Sequence, residues 1–261
     1  MIFADSHCHL QMTGVEANAL LDRARSAGVT RFLVPGTTLE DSAAAVALAE
    51  DNDGVFAAVG VHPHEAKGFE TARDGPGLEA LARRPRVVAV GEIGLDFHYD
   101  HSPRAKQLEV LQWMLDLARR LDLPVILHNR ESGGPMRAML ERFPRRERPG
   151  VFHSFTEDAG YGRRAIDLGY LVSFSGMLTF RAAENIRQAA ADLPLEAMLV
   201  ETDSPFLAPV PHRGRPCEPA FVVDTAKRLA EVKGTDLEAV ARVTTGNFER
   251  LFLSGRPRAD S

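Results

Sequence analysis

Material for disulfides is almost absent from this sequence. The 261 residues include two cysteines, Cys8 and Cys217, and neither belongs to a CxxC pair. A disulfide framework is therefore excluded, and a reducing compartment is expected. Positive charge is also short: 31 Lys and Arg face 36 Asp and Glu, for a net charge of −5. That balance speaks against a protein that coats nucleic acid through a broad basic surface, although bound cations would give a nuclease its own local positive charge. No apolar run approaches the length that spans a bilayer, and MIFADSHCHL lacks the basic start and apolar stretch of a leader. A cytoplasmic protein without membrane contact is expected. There is no GxSxG elbow and no glycine-rich phosphate loop, so serine-hydrolase and P-loop chemistry drop out. Internal repeats, low-complexity segments and linkers are missing too. The cluster Arg145 to Arg148 reads as a solvated loop.

What is present is alternation. Short β-rich runs are separated by longer amphipathic runs, the pattern of parallel strands joined by crossover helices. Strands are expected over about Ile2 to His9, Arg31 to Pro35, Val55 to His62, Arg86 to Glu92, Pro124 to His128, Gly150 to Ser154, Leu171 to Ser175 and Met198 to Asp203. Between Ser102 and Leu121, the recurrence of Leu108, Leu111, Leu115 and Ala118 predicts a helix, with Ser102 and Pro103 as cap and first turn. After the eighth strand come a Pro- and Arg-rich loop and a helix from about Pro219 to Val232, closed by Gly234. A last helical segment runs toward Phe252 and is expected to break at Gly246 and Asn247. The chain length lies near the roughly 250 residues of one (β/α)8 TIM barrel. The expected fold is thus α/β: a single barrel domain over 1–261, with an extra C-terminal helix and a frayed tail from Ser254 to Ser261.

The nine histidines, at 7, 9, 62, 64, 98, 101, 128, 153 and 212, all fall at the end of an expected strand or in the loop after it. In a barrel those positions share one face, the C-terminal mouth, where barrel enzymes carry their chemistry. His7 and His9 are two apart on a strand and so point the same way, while Cys8 between them turns outward to pack. Asp5, with the same parity one layer deeper, either orients a ligand histidine or is satisfied by backbone groups. Glu92 tops a column formed by Val88 and Val90, and a carboxylate there needs a partner: a cation, or an arginine such as Arg130. His128, His153 and Asp203 end the fifth, sixth and eighth strands, with Glu201 one layer below Asp203 and suited to a supporting role. Six groups converge: His7, His9, Glu92, His128, His153 and Asp203. Six mixed imidazole and carboxylate ligands exceed what one tetrahedral ion uses, so two divalent cations sharing a bridging carboxylate are expected.

The segments DSHCHL, GVHPHEA, GEIGLDF, His128 with Arg130, FHSFT, SFSGMLTFR, ETDSPFLAPVPHRG and TTGNFERLF occur in an order that resembles TatD-like metal-dependent deoxyribonucleases. The resemblance runs from residue 5 to about 252, and the ETDSPFLAPVPHRG block is its most specific part. It implies a metal-dependent hydrolase that cleaves phosphodiester bonds in DNA, often exonucleolytically, acting on DNA ends or single strands. The two divalent cations would be Mg, Mn or Zn, and the chain a monomer or weak homo-oligomer. His7, His9 and Asp203 would then hold one ion, His128 and His153 the other, and Glu92 would bridge. Three positions depart from the family pattern: HSFTED stands where HCFTG is common, Cys217 stands where asparagine is usual, and Ser132, Gly133 and Gly134 soften a helix start.

The expected chemistry is attack of a water on phosphorus, with Asp203 and Glu92 as the catalytic carboxylates, Asp203 accepting the proton. His62, His64, Arg130 and Arg213 would contact the phosphate. Two rivals use the same residues. One is a metal-dependent ester or amide hydrolase such as a D-aminoacyl-tRNA deacylase; the arginines near the mouth favour the phosphodiester. The other is a non-catalytic metal- or nucleic-acid-binding barrel, which the candidate base and open positions disfavour.

Overall fold

In a computed structural model, which describes residues 1–254, the apolar runs pair into eight parallel strands in sequential order. They are β1 Phe3–Asp5, β2 Val29–Pro35, β3 Val55–Val59, β4 Val87–Asp96, β5 Val125–Arg130, β6 Gly150–Phe152, β7 Leu171–Phe174 and β8 Met198–Val200. The connecting helices are α1 Ala17–Ser26, α2 Leu39–Asp51, α3 Thr71–Ala82, α4 Arg104–Leu121, α5 Gly133–Arg142, α6 Ala159–Asp167 and α7 Glu184–Asp192, followed by α8 Val222–Lys233 and α9 Leu237–Phe248. No helix among the described residues is long and apolar enough to cross a membrane. The barrel closes where its first and last strands meet. Ser6 N donates to Val200 O, Asp203 N to His7 O and His9 N to Ser204 O, at 3.2, 2.8 and 2.8 Å. This is the expected (β/α)8 architecture.

Two apolar layers hold it. Helices cover the outside; α4, for example, buries Val110, Leu111, Met114, Leu115 and Ala118 at helical spacing. Inside, Ala4, Leu33, Ala58, Val88, Ile126, Val151 and Leu199 from seven strands form a separate cluster with Phe248, Leu251 and Phe252 from the chain's C-terminal region. Those C-terminal side chains plug the bottom, so the interior is accessible from the mouth.

Several local expectations change. β4 and β5 run past Glu92 and His128, whereas β1, β3, β6 and β8 stop short of the histidines and acid assigned to their ends. Val90 packs in the outer layer rather than below Glu92. Ser102 does not cap α4: its hydroxyl donates to His64 O and accepts from Lys67 N, tying two mouth loops together. Arg146 and Arg148 are not solvated; Arg146 donates to Leu123 O and pairs with Asp122, and Arg148 bonds Leu251 O. Gly234 does close α8, in the left-handed region at φ 61°. The frayed-tail expectation lies, beyond Ser254, outside the described residues.

Gly246 and Asn247 do not break the last helix, which continues through Phe248 into a π-helical turn at Glu249–Leu253. Asn247 is buried, and its amide donates to Met198 O at 2.7 Å. With that tertiary acceptor, the amide does not compete with its own backbone. Asn247→Leu would leave the Met198 carbonyl, at the base of β8, without this donor. A loss of about 1–3 kcal/mol is expected in urea denaturation; unchanged stability would show that the bond contributes little.

Candidate active site

The site is built around one carboxylate. Glu92, in the middle of β4, is 3% exposed, and its two oxygens face different histidines. Oε1 lies 2.8 Å from His153 Nε2, 3.0 Å from His128 Nδ1 and 3.3 Å from His62 Nε2. Oε2 lies 3.3 Å from His7 Nε2 and 3.6 Å from His9 Nε2. Asp203 Oδ1 completes the second group, 3.7 and 3.6 Å from the same two nitrogens. All six side chains expected to converge do so. His62, read from sequence as a phosphate contact, also reaches Glu92. Arg130 is not the partner of Glu92; it is exposed and stacks over Tyr99.

The convergence of His7 and His9 does not come from strand alternation. Ala4 belongs to the interior cluster and Ser6 reaches Ser173 and Glu201, so the inward residues of the first segment are 4 and 6. The chain leaves strand geometry after Asp5, and the change of phase turns His7 and His9 inward. Cys8 still packs outward, its thiol near Leu33 O. Asp5 therefore does not lie beneath the histidine rings. It accepts from Thr202 N, Thr202 Oγ1 and His7 N at 2.9, 2.6 and 3.3 Å, and so fastens the closing seam.

Supporting groups orient the rings. Glu201 Oε1 accepts from Ser154 N at 2.7 Å and lies 3.3 Å from His153 Nδ1, which turns Nε2 toward Glu92. Asp96, which sequence reasoning missed, does the same for His128. Its Oδ2 is 3.2 Å from His128 Nε2 and 2.8 Å from His64 Nε2, while Oδ1 accepts from His98 N and Tyr99 N. Held at Nε2 by Asp96, the His128 ring presents Nδ1 to Glu92, with a carboxylate facing each nitrogen. A signal for it existed in GEIGLDF: Asp96 follows Glu92 by four residues, and both lie on the same strand.

The charge state follows from these contacts. Burial alone would raise Glu92, but His153, His62 and His7 hold it well below the usual carboxylate range. Burial alone would lower His153, but Glu92 and Glu201 hold it well above the ordinary imidazole value. For His9 burial and the neighbouring His7 outweigh the pull of Glu92 and push it down to about 3. Burial takes His62 down to about 4 and Asp203 up to about 6. The cluster thus sets neutral His9 and His62 beside His128 and His153, whose protons are held by the neighbouring carboxylates.

The donors suit divalent cations. Two sets of histidine and carboxylate atoms, one with His7 and His9 and one with His62 and His128, share Glu92. Their separations are close to the about 3.4 Å edge of a tetrahedron with metal–ligand bonds near 2.1 Å. The nitrogens of His7 and His9 face each other at 3.1 Å, and the buried Nδ1 atoms of both have no partner among the described residues.

The other expected residues ring the mouth. His64 points at Asp96 rather than at Glu92. Arg213 lies over Phe180 and donates to Ala208 O, while His212 pairs with Asp224 and stacks on Phe221. Of the departures from the family pattern, Glu157 is bonded by Asn129, and burial raises its carboxyl above the usual range. Cys217 is buried against Thr202 O at a long 3.9 Å, and Ser132 bonds Leu95 O and Asn129 without capping α5.

The family model described as TatD related DNase matches residues 4–253. The uncharacterized metal-dependent hydrolase YcfH of Escherichia coli K12 is 40% identical over all of this chain and 99% of its own. YabD of Bacillus subtilis 168, also an uncharacterized metal-dependent hydrolase, is 34% identical over 97% of this chain and 99% of its own. The crystal structure of the TatD homolog YjjV from Escherichia coli K12 superposes with a TM-score of 0.90 at 35% identity, covering 96% of this chain and 98% of that one.

Asp96→Asn is expected to weaken divalent-cation binding at the His128 and His153 group by about 10- to 100-fold. Calorimetric titration of Mn2+ into chelator-treated protein measures it. An unchanged titration would mean that His128 keeps its orientation without Asp96.

Proposed function

Because the chain belongs to the TatD-related DNase family of metal-dependent hydrolases, we propose that it hydrolyses phosphodiester bonds of DNA, at ends or in single strands, with two divalent cations held on either side of Glu92. The observation that carries this reading is the split carboxylate, whose two oxygens each face a separate set of imidazoles. His7, His9 and Asp203 would hold one cation and His128 and His153 the other, the ions being Mg, Mn or Zn. When bound, such ions polarise the phosphoryl oxygens and lower the pKa of water.

The remaining work falls to the chain's own groups. Asp203 stands at the lip of the cluster, its side chain 15% exposed where that of Glu92 is 4%, so it is the carboxylate that an entering water meets. It accepts the proton as the water attacks phosphorus and the P–O bond to the leaving oxygen breaks. Arg130 and Arg213, both exposed and each held by an aromatic ring, reach the non-bridging oxygens. His62, at the base of the mouth, accepts from His64 N at Nδ1 and turns Nε2 toward Glu92, so it shapes the site beneath the phosphate.

The test compares a single-stranded oligodeoxynucleotide with a D-aminoacyl-tRNA on one preparation, with Mn2+ or Mg2+ added. Cleavage of the oligonucleotide is expected, and Glu92→Ala should lose both bound metal and cleavage. Deacylation without DNA cleavage would transfer the site to ester chemistry. A Glu92→Ala protein with full activity and full metal content would reject the assignment.

A further inference from the structure

Two buried hydroxyls take no direct part in the cluster around Glu92. Ser6, just past β1, is 1% exposed, and Ser173, within β7, is fully buried. Each stands one step above an apolar side chain of the inner layer, Ala4 in the first segment and Leu171 in β7. A hydroxyl at that depth is tolerated only where its hydrogen bonds are made, because its desolvation costs more than that of the alanine that would fill the same space. The pair therefore marks a polar connection inside the barrel.

That connection leads to Glu201. The Ser6 and Ser173 oxygens lie 2.9 Å apart, coming from the two sides of β8. Ser6 Oγ also donates toward Val200 O at 3.1 Å and Glu201 Oε2 at 3.4 Å. With its one proton turned toward those acceptors, Ser6 accepts from Ser173. The other oxygen of Glu201, Oε1, accepts from Ser154 N at 2.7 Å and lies 3.3 Å from His153 Nδ1. The torsion that turns a glutamate carboxylate is soft and has no sharp rotamer. Contacts at Oε1 alone would leave the carboxylate plane free to swing, and the Ser6 hydroxyl at Oε2 supplies the second point that fixes it. Asp96 is anchored by the same device behind the other histidine: one oxygen faces His128 while the other accepts from His98 N and Tyr99 N.

We propose that Ser6 is a positioning residue for the cation held by His128 and His153. Its hydroxyl fixes the carboxylate of Glu201, Glu201 fixes the His153 ring, and Nε2 of that ring is thereby kept 2.8 Å from Glu92 Oε1. The residue next to His7 in sequence thus serves the half of the site to which His7 does not belong. The proposal rests on the two-cation reading and is independent of whether the substrate is a phosphodiester.

The experiment titrates Mn2+ into the chelator-treated full chain by calorimetry and compares the unmodified protein with Ser6→Ala, Ser173→Ala and Glu201→Ala. Two binding steps are expected for the unmodified protein. Ser6→Ala should weaken one of them by about ten-fold, the low end of what loss of a partner behind a ligand costs, and leave the other unchanged. His9→Ala, which keeps His128 and His153, identifies the step: the one that survives in it is the one that Ser6→Ala weakens. Ser173→Ala should weaken the same step by less. Once Glu201→Ala has removed the carboxylate, adding Ser6→Ala should cost nothing more, a result that a packing role for Ser6 would not give. Co2+ bound at that step should also change its visible absorption in Ser6→Ala, since the band follows ligand geometry. Equal weakening of both steps, weakening of neither, or a full additional loss on Glu201→Ala overturns the proposal while leaving the two-cation reading intact. A single binding step in the unmodified protein, weakened by Ser6→Ala only when Glu201 is present, removes the two-cation reading and keeps Ser6 in its role. Absence of any binding removes both.

Discussion

A single buried carboxylate, divided between two sets of imidazoles, is the constraint on which this site depends. An isolated Glu92 at this depth would be too costly to keep ionised. Its surroundings reverse that cost, since every close neighbour of its oxygens is a histidine nitrogen. The histidines in turn cannot all be protonated, because they crowd one another as closely as they crowd the acid. A protonated His153 beside the ionised Glu92 meets part of that balance, and the remaining lone pairs of the neutral rings and carboxylates suit a metal ion.

Orientation is imposed from behind. Glu201 and Asp96 address the rear nitrogens of His153 and His128, and each is itself fixed by backbone N–H donors. His7 and His9 have no such acid behind them; their positions come from the backbone seam, where Asp5 clasps Thr202 and the chain crosses from the first strand to the last. One half of the cluster is therefore set by side-chain hydrogen bonds and the other by closure of the barrel.

Much of this was legible in the sequence, for reasons that can be separated. Strand-and-helix alternation revealed the barrel because burial imposes different periods on the two elements. Placing histidines after strands revealed the mouth because a parallel barrel gathers those loops on one face. Finer geometry was less accessible. His7 and His9 face inward through a change of phase after Asp5, which no alternation rule contains. Asp96 escaped notice because β4 was expected to end at Glu92, and a residue read as loop does not advertise a buried partner. Asn247 looked like a helix breaker because its acceptor, Met198 O, lies forty-nine positions away. Ser102 was misjudged in the same way, its hydroxyl serving a distant loop instead of the adjacent helix.

The closing seam has a consequence for how the protein is made. His7 emerges early in synthesis, whereas Asp203 and Thr202 emerge near the end, and the phenylalanines that seal the floor come later still. Until those last segments leave the ribosome, the early histidines have neither their carboxylate partner nor a dry chamber. Capture of metal is thus a late event in the life of the nascent chain, and a truncated product would carry most of the ligands without a centre to put them in.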